Sequence, residues 1–288
     1  MYYLTKYGLN IDPQQTEHTI GAIHDNLNNW LTKPILSKML GLIDLTTLNA
    51  TDTPTKVQNL VKKVNHFKEQ FPDYPYPASI CVYPNFAAVI RDTLSAPGVG
   101  ITTVSGCFPA SQSYTEVKVL ESRMAVENGA TEVDIVLALN AFLDKRPEAC
   151  FEEIAQIRQA VGNAHLKVIL ETGALLGQEE IAEASFLAME AGADFIKTST
   201  GKMEPAATPA AAIVMCQCIK RYYEVTGKKI GFKPAGGIST AKDAACYYAI
   251  VETILGPEWL CPELFRFGAS RVANNILSEL EERTVTYY

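Results

Sequence analysis

Two lysines stand inside short apolar runs that offer a lysine no obvious partner. Lys197 interrupts GADFIKTSTGK (192–202) and Lys233 interrupts IGFKPAGG (230–237). Taking an ammonium out of water costs free energy unless the group is paired or gives up its proton. Two acids break runs of the same kind, Asp44 in LIDLTTL (42–48) and Asp134 in EVDIVLAL (132–139). Taken singly, each reads equally well as half of a buried ion pair or as a solvated strand end. Two acids and two bases at matching places in four runs read together as a site.

The chemistry open to a pair of lysines is imine formation. A lysine attacks a carbonyl only as the free amine, and its ordinary pKa is about 10.4. Two ammonium groups about 5 Å apart repel by roughly 3 kcal/mol at an effective dielectric of about 20. That repulsion is worth about two pKa units, and desolvation lowers the value further. One lysine is then neutral near pH 7 while its charged neighbour keeps it so. Asp134 is the matching proton-transfer partner, because protons must move onto and off the carbinolamine hydroxyl and the enamine carbon. An ion pair with Lys233 is its plainer role, and the two are compatible.

Such residues need a frame that brings distant runs together. Eight short runs rich in β-branched residues alternate with helical patterns: LIDLTTL, SICVYP (79–84), GITTVSG (100–106), EVDIVLAL, LKVILET (166–172), DFIKTST (194–200), IGFKPAGG and LFRFGAS (264–270). TKVQNLVKKVNHFKEQ and SYTEVKVLESRMAVENGA show spacing near 3.6. Ser113 and Glu116 predict a capping box at the start of the second. In TPAAAIVMCQCIKRYYEVTG, Thr208 is placed to cap and Pro209 to occupy the first helical position. Eight strand–helix units in series predict an α/β fold, a (β/α)8 TIM barrel with an N-terminal helical extension. A doubly wound open sheet is the alternative, but the nucleotide-binding glycine fingerprint that goes with it is not found. The expected organisation is one barrel domain over 1–288. Residues 1–40 form a helical cap or oligomer contact, and about 276–288 form a tail.

In a barrel, polar residues late in the strands converge at the C-terminal mouth, and the loops after strands 7 and 8 commonly bind phosphate. KPAGGIST and FGASR occupy those loops. Gly236, Gly237 and Gly268 allow close approach of backbone N–H groups to an anion, and Ser270 adds a hydroxyl. Lys202, just past the sixth run, could add positive charge. Glycine there is often only turn geometry, and an exposed lysine is often only solvated.

Composition narrows the classes. Of the 288 residues, 48% are apolar and 20% charged, so a large core is within reach and disorder is not expected. A net charge of −7 argues against a general nucleic-acid or anionic-membrane surface. The N-terminal stretch lacks a basic segment followed by an apolar one, and no run of 18 apolar residues occurs, so neither a secretory signal nor a membrane span is expected. Seven scattered cysteines without a CxxC pair suit reduced thiols in the cytoplasm. Cys216 and Cys218 sit in an apolar helical stretch and read as packing. Four dispersed histidines give no metal-site pattern.

DFIKTSTGK and IGFKPAGGIST, with IDLTTLN, ICVYP and EVDIV upstream in that order, resemble the 2-deoxyribose-5-phosphate aldolases from about residue 40 to about 275. The resemblance implies a class I, Schiff-base aldolase that needs neither metal nor cofactor. Its reaction would be the reversible cleavage of 2-deoxy-D-ribose 5-phosphate to D-glyceraldehyde 3-phosphate and acetaldehyde, a step in deoxyribose phosphate catabolism. Lys197 matches the family's Schiff-base lysine, and Lys233 and Asp134 match its proton-transfer residues. Asp44 and Thr46 are carried over as substrate-binding or network residues, beside Lys202, Gly236, Gly237, Gly268 and Ser270. Cys81 follows the family's cysteine on strand 2 and reads as a packing residue lining the lumen, open to reaction with aldehydes. The family's partners are small phosphosugars and aldehydes, and its members are often homodimers or homotetramers. This chain departs in reading Gly268-Ala269-Ser270-Arg271 where bacterial members often read GASS. It also carries Gly106 and Cys107 where many have an Asn-Phe-Pro arrangement. Some members end on a tyrosine that reaches the active site; for Tyr288 a frayed, solvated tail is the expectation. A sugar-phosphate isomerase or cyclase, or a barrel that only binds a phosphosugar, are the competing readings.

Overall fold

The computed structural model describes residues 2–288. Three helices come first: α1 (Tyr2–Tyr7), α2 (Pro13–Asp25) and α3 (Lys33–Leu40). The alternation then begins with β1 (Ile43–Thr46), α4 (Pro54–Asn65), α5 (Phe67–Gln70), β2 (Ser79–Val82), α6 (Ala87–Thr93) and β3 (Gly100–Val104). It continues through α7 (Thr115–Glu127), β4 (Glu132–Val136), α8 (Leu139–Leu143), α9 (Pro147–Val161), β5 (His165–Ile169) and α10 (Gln178–Glu190). It ends with β6 (Phe195–Lys197), α11 (Pro209–Thr226), β7 (Gly231–Lys233), α12 (Ala241–Leu255), β8 (Phe267–Ala269) and α13 (Arg271–Glu281).

All eight apolar runs contain strands. They pair in parallel in the order β7-β6-β5-β4-β3-β2-β1-β8. Two isolated bridges, Phe232 with Phe265 and Ala235 with Gly268, join β7 to the β8 segment and close the ring. This is the (β/α)8 barrel.

Alternation along the strands separates two interiors. Ile43, Leu45, Ile80, Val82, Val133, Ile135, Leu166, Val168, Ile196 and Phe232 are buried against the helices. The residues between them, Asp44, Ser79, Thr102, Glu132, Asp134, Lys167, Lys197 and Lys233, are also buried but face the lumen. The hydrophobic core is therefore a cylinder around the strands, and the lumen within it is polar and charged.

Helix ends follow local chemistry where the sequence supplies it. Thr208 accepts from Ala211 N–H with Pro209 at the first position, as expected. The capping box expected of Ser113 and Glu116 is absent: α7 starts one residue later, with Tyr114 at the cap and no side-chain bond to it. Tertiary contacts set this entry instead. Thr115 Oγ1 and Lys118 Nζ both bond Glu153 of α9, while Lys118 also holds Ser111 at 2.9 Å.

The N-terminal helices lie on the outer helical layer. α1 packs on α10 and α11, with Tyr7 stacked on Phe186 at 4.3 Å; α2 packs on α11 and α12, and α3 on α12 and α13. The C-terminal segment is docked, contrary to the expected solvated tail. Asn274 Oδ1 accepts from the backbone N–H groups of Tyr287 and Tyr288, its Nδ2 donates to Tyr288 O, and the Tyr288 ring stacks on Phe67.

Gly231 faces Phe195 across the β6–β7 register. A Cβ there would lie 2.3 Å from the Phe195 ring, so only glycine leaves room for that ring in the floor of the lumen. Gly231→Ala is expected to cost about 1–3 kcal/mol through overpacking. It should appear as a lower urea midpoint with an unchanged denaturant slope.

Candidate active site

The lumen charges form one connected cluster. Asp134 Oδ2 accepts from Lys197 Nζ at 2.8 Å and from Lys233 Nζ at 2.7 Å, while its Oδ1 faces Lys167 Nζ at 3.1 Å. Lys233 also pairs with Asp44 at 2.5 Å. Below them Arg266 bridges Asp44 Oδ1 at 2.6 Å and Glu132 at 2.9 Å, and Glu132 is in close contact with Lys167. The side chains of Asp44, Asp134, Lys167 and Lys233 have no exposure at all, and Lys197 as a whole residue retains 3%.

Strand register produces this arrangement. Asp134 lies opposite Lys167 on β5, and Lys197 lies opposite Lys233 on β7. The two lysines are thus cross-strand neighbours that point into the same lumen. A Cβ at Gly268 would sit 2.7 Å from Ala235 Cβ and 3.1 Å from Lys233 Cε. That glycine gives the lysine its space, a role beyond the anion approach expected of it.

The cluster splits the two amines. Burial would strip the proton from Lys233, but Asp134 and Asp44 hold its pKa well above the ordinary lysine value. Burial lowers Lys197, and Lys233 lowers it again; Asp134 opposes both without reversing the direction. Burial opposes ionisation of Asp134, yet Lys167, Lys197 and Lys233 keep its carboxyl well below the usual range. Asp44 behaves alike, held down by Lys233, Arg266 and Lys167 against the effect of burial. The result is an amine whose pKa is lowered, beside an ammonium and a carboxylate, the combination that carbonyl attack followed by proton transfer uses.

The mouth above is assembled by loop contacts. Thr198 Oγ1 bonds both Ala235 N and Ala235 O, tying the loop after β6 to the loop after β7. Glu171 after β5 accepts from Thr200 N at 3.2 Å and Thr200 Oγ1 at 2.5 Å. Gly236 and Gly237 adopt φ of +81° and +77°, a region where a side chain is strained, and Ser270 stands at the N-terminal boundary of α13 without a side-chain capping bond. Lys202 reaches across to donate to Leu48 O at 2.6 Å. Thr46 turns its hydroxyl to Asp44 O. Cys81 is buried beside Leu48 and Val104, and burial pushes its thiol pKa up. Among the described residues, no group of three or more His, Cys, Asp or Glu side chains is placed to hold a metal ion.

Comparison with known proteins agrees with this geometry. The family profile described as DeoC/LacD family aldolase matches residues 38–250. The chain belongs to that aldolase family. It is 41% identical over 269 residues to the human deoxyribose-phosphate aldolase, covering 90% of this chain and 83% of that one. With the mouse deoxyribose-phosphate aldolase it shares 42% over 264 residues, 88% and 80% of the two chains. Among solved structures, the tetrameric deoxyribose phosphate aldolase from Aeropyrum pernix superposes with a TM-score of 0.65 at 23% identity, covering 93% of this chain and 98% of that one. This last likeness concerns the fold.

Of the residues singled out from sequence, Asp44, Asp134, Lys197 and Lys233 meet in one cluster. Gly236, Gly237, Gly268 and Ser270 lie on the two loops joined at the Ala235–Gly268 bridge, and Lys202 lies over the mouth. Tyr288 lies in the groove between α4 and α13, which also contains Thr46 and Ser270. Glu132, Lys167 and Arg266 were missed. The signal for Lys167 was available: it sits between outward Leu166 and Val168, on the lumen parity of its strand.

The two lysines should differ sharply in what they contribute to stability. Lys233→Leu takes a partner from two buried carboxylates and is expected to cost about 3–5 kcal/mol. Lys197→Leu removes an amine already disposed to be neutral and should cost about 1 kcal/mol or less. Urea titrations of both variants at neutral pH check the contrast.

Proposed function

We propose that this family member is a class I aldolase that cleaves 2-deoxy-D-ribose 5-phosphate reversibly to D-glyceraldehyde 3-phosphate and acetaldehyde. Lys197 is the amine that forms the imine. The observation that carries this reading is the shared Oδ2 of Asp134, which places a lysine of lowered pKa and one of raised pKa on the same carboxylate oxygen.

The amine of Lys197 adds to the C1 aldehyde of the open-chain sugar and forms a carbinolamine. Protonation of its hydroxyl and loss of water give the iminium, with Asp134 and Lys233 handling the protons. The iminium then draws electrons from the C2–C3 bond. The C3 hydroxyl loses its proton, the bond breaks, and glyceraldehyde 3-phosphate leaves while a two-carbon enamine stays on Lys197. Protonation of the enamine carbon restores an iminium, and water releases acetaldehyde and the free amine. Gly236, Gly237, Gly268, Ser270 and Lys202 bind the phosphate, with Asp44 and Thr46 beside the sugar. An isomerase or cyclase needs an acid–base pair without an imine and leaves the lysine pair unexplained. A homodimeric or homotetrameric assembly and a cytoplasmic location belong to the same proposal. The seven unpaired cysteines suit that location.

Borohydride added with deoxyribose 5-phosphate should label Lys197 irreversibly, as read by peptide mass mapping. Lys197→Leu should lose activity by about three orders of magnitude or more, and EDTA should leave wild-type turnover unchanged. An active preparation without any label would rule out the Schiff-base route.

A further inference from the structure

Three buried charged residues, Glu132, Lys167 and Arg266, have no part in the chemistry above, yet they complete the lumen. The cluster holds three carboxylates, Asp44, Glu132 and Asp134, and three cations, Lys167, Lys233 and Arg266. These six cancel. Lys197 is the seventh member, and a proton on it takes the cluster from neutral to a net charge of +1.

We propose that Glu132, Lys167 and Arg266 form a charge-balancing floor that selects Lys197 as the neutral amine, with Lys167 as a positioning residue acting through Asp134. The geometry assigns this role. Lys167 Nζ takes Asp134 Oδ1 at 3.1 Å, which leaves Oδ2 for Lys197 and Lys233. Arg266 donates to Glu132 from both terminal nitrogens and to Asp44 from Nη1, so the acids of β1 and β4 are fixed from below. The Phe195 ring lies under both cations, 5.8 Å from Lys167 Nζ and 5.9 Å from Arg266 Cζ. Neutral contacts complete the floor: the Thr102 hydroxyl meets Ser79, Glu132 and Lys167, and Arg266 Nε donates to Pro262 O.

The charged groups facing Lys197 come from several sides of the ring. Asp44 comes from β1, Glu132 and Asp134 from β4, Lys167 from β5, Lys233 from β7, and Arg266 from the residue before β8. Cys81 of β2 is buried and kept as the thiol, so it adds no charge. On β3 the lumen residues are Gly100, Thr102 and Val104, all uncharged. At the mouth, Glu171 is tied to Thr200 and Lys202 to Leu48 O, above the cluster.

The sign of each charge change is then fixed. Lys167→Met removes a cation and leaves the six at −1, which favours the protonated form of Lys197 and moves its titration to higher pH. Glu132→Gln removes an anion, leaves them at +1, and moves the titration to lower pH. The double variant restores zero. Each single shift should be about one pH unit or more, a roughly tenfold change in reactivity at a fixed pH on the acid limb.

The inference rests on Lys197 being the imine-forming lysine, and one experiment separates the two claims. Wild type and the three variants are treated with acetaldehyde and cyanoborohydride across about pH 5 to 10. Water leaves as the imine forms, and hydride reduces it to N-ethyl-lysine, quantified at Lys197 by peptide mapping. Opposite displacements in the single variants, with the double variant returned to the wild-type profile, support the proposal. Profiles that coincide in all four proteins, or that move in the same direction in both single variants, overturn it. A wild type that is never labelled at Lys197 refutes the imine instead. Should Lys167→Met not fold, the direction of Glu132→Gln and the return in the double variant decide.

Discussion

Everything at this site depends on burying seven ionisable side chains inside a ring of eight short strands. A charge taken from water into a protein interior costs several kcal/mol unless partners replace the lost hydration. The lumen meets that requirement with mutual pairing. Asp134 faces three lysines, Lys233 faces two carboxylates, and Arg266 spans Asp44 and Glu132. The hydrophobic cylinder around the strands makes the arrangement tolerable, because it fixes the backbone from outside while the lumen residues are held from within. Glycines at 231 and 268 are part of the same constraint. They provide the volume in which Phe195 and the Lys233 stem lie.

The loops extend this rigidity to the mouth. Thr198 and Ala235 exchange hydrogen bonds across the ends of β6 and β7, and Glu171 fixes Thr200 from the end of β5. The residue after Lys197 therefore positions the loop after β7. The proposed imine lysine and the proposed phosphate loop are thus held by one backbone segment, which fixes their separation by the fold rather than by flexible side chains.

Much of this was legible in the sequence, for reasons that can be named. A lysine or aspartate in an apolar run is conspicuous, and four of them pointed to the site. The eight runs were readable because each has only a few residues bounded by turn chemistry. Lys167 is less conspicuous because it lies near the start of LKVILET, and only the alternation of strand faces separates it from a solvated strand end. Glu132 opens its run, where a charge passes for solvated, whereas Arg266 stands between Phe265 and Phe267 and was as legible as the four. The misread capping box and the docked tail share a different cause. Both depend on residues distant in sequence, Glu153 for the entry to α7, and Asn274 with Phe67 for Tyr288. Local pattern carries no information about such partners.

Sequence alone posed the question of whether Lys233 could depress Lys197 by repulsion. The structure gives a fuller answer. Burial acts on both lysines, but their partners differ: Lys233 contacts Asp44 and Asp134, whereas Lys197 contacts Asp134 alone and shares its oxygen. Position along the strands creates this difference. Asp44 on β1 is adjacent to β8 and comes within reach of β7 across the closing bridges, while β6 lies one strand further away. Exchange the two lysines' partners and the reactive amine would sit deeper, with no exposure and two carboxylates to keep it charged. The order of strands around the ring therefore decides which lysine is held less firmly as an ammonium.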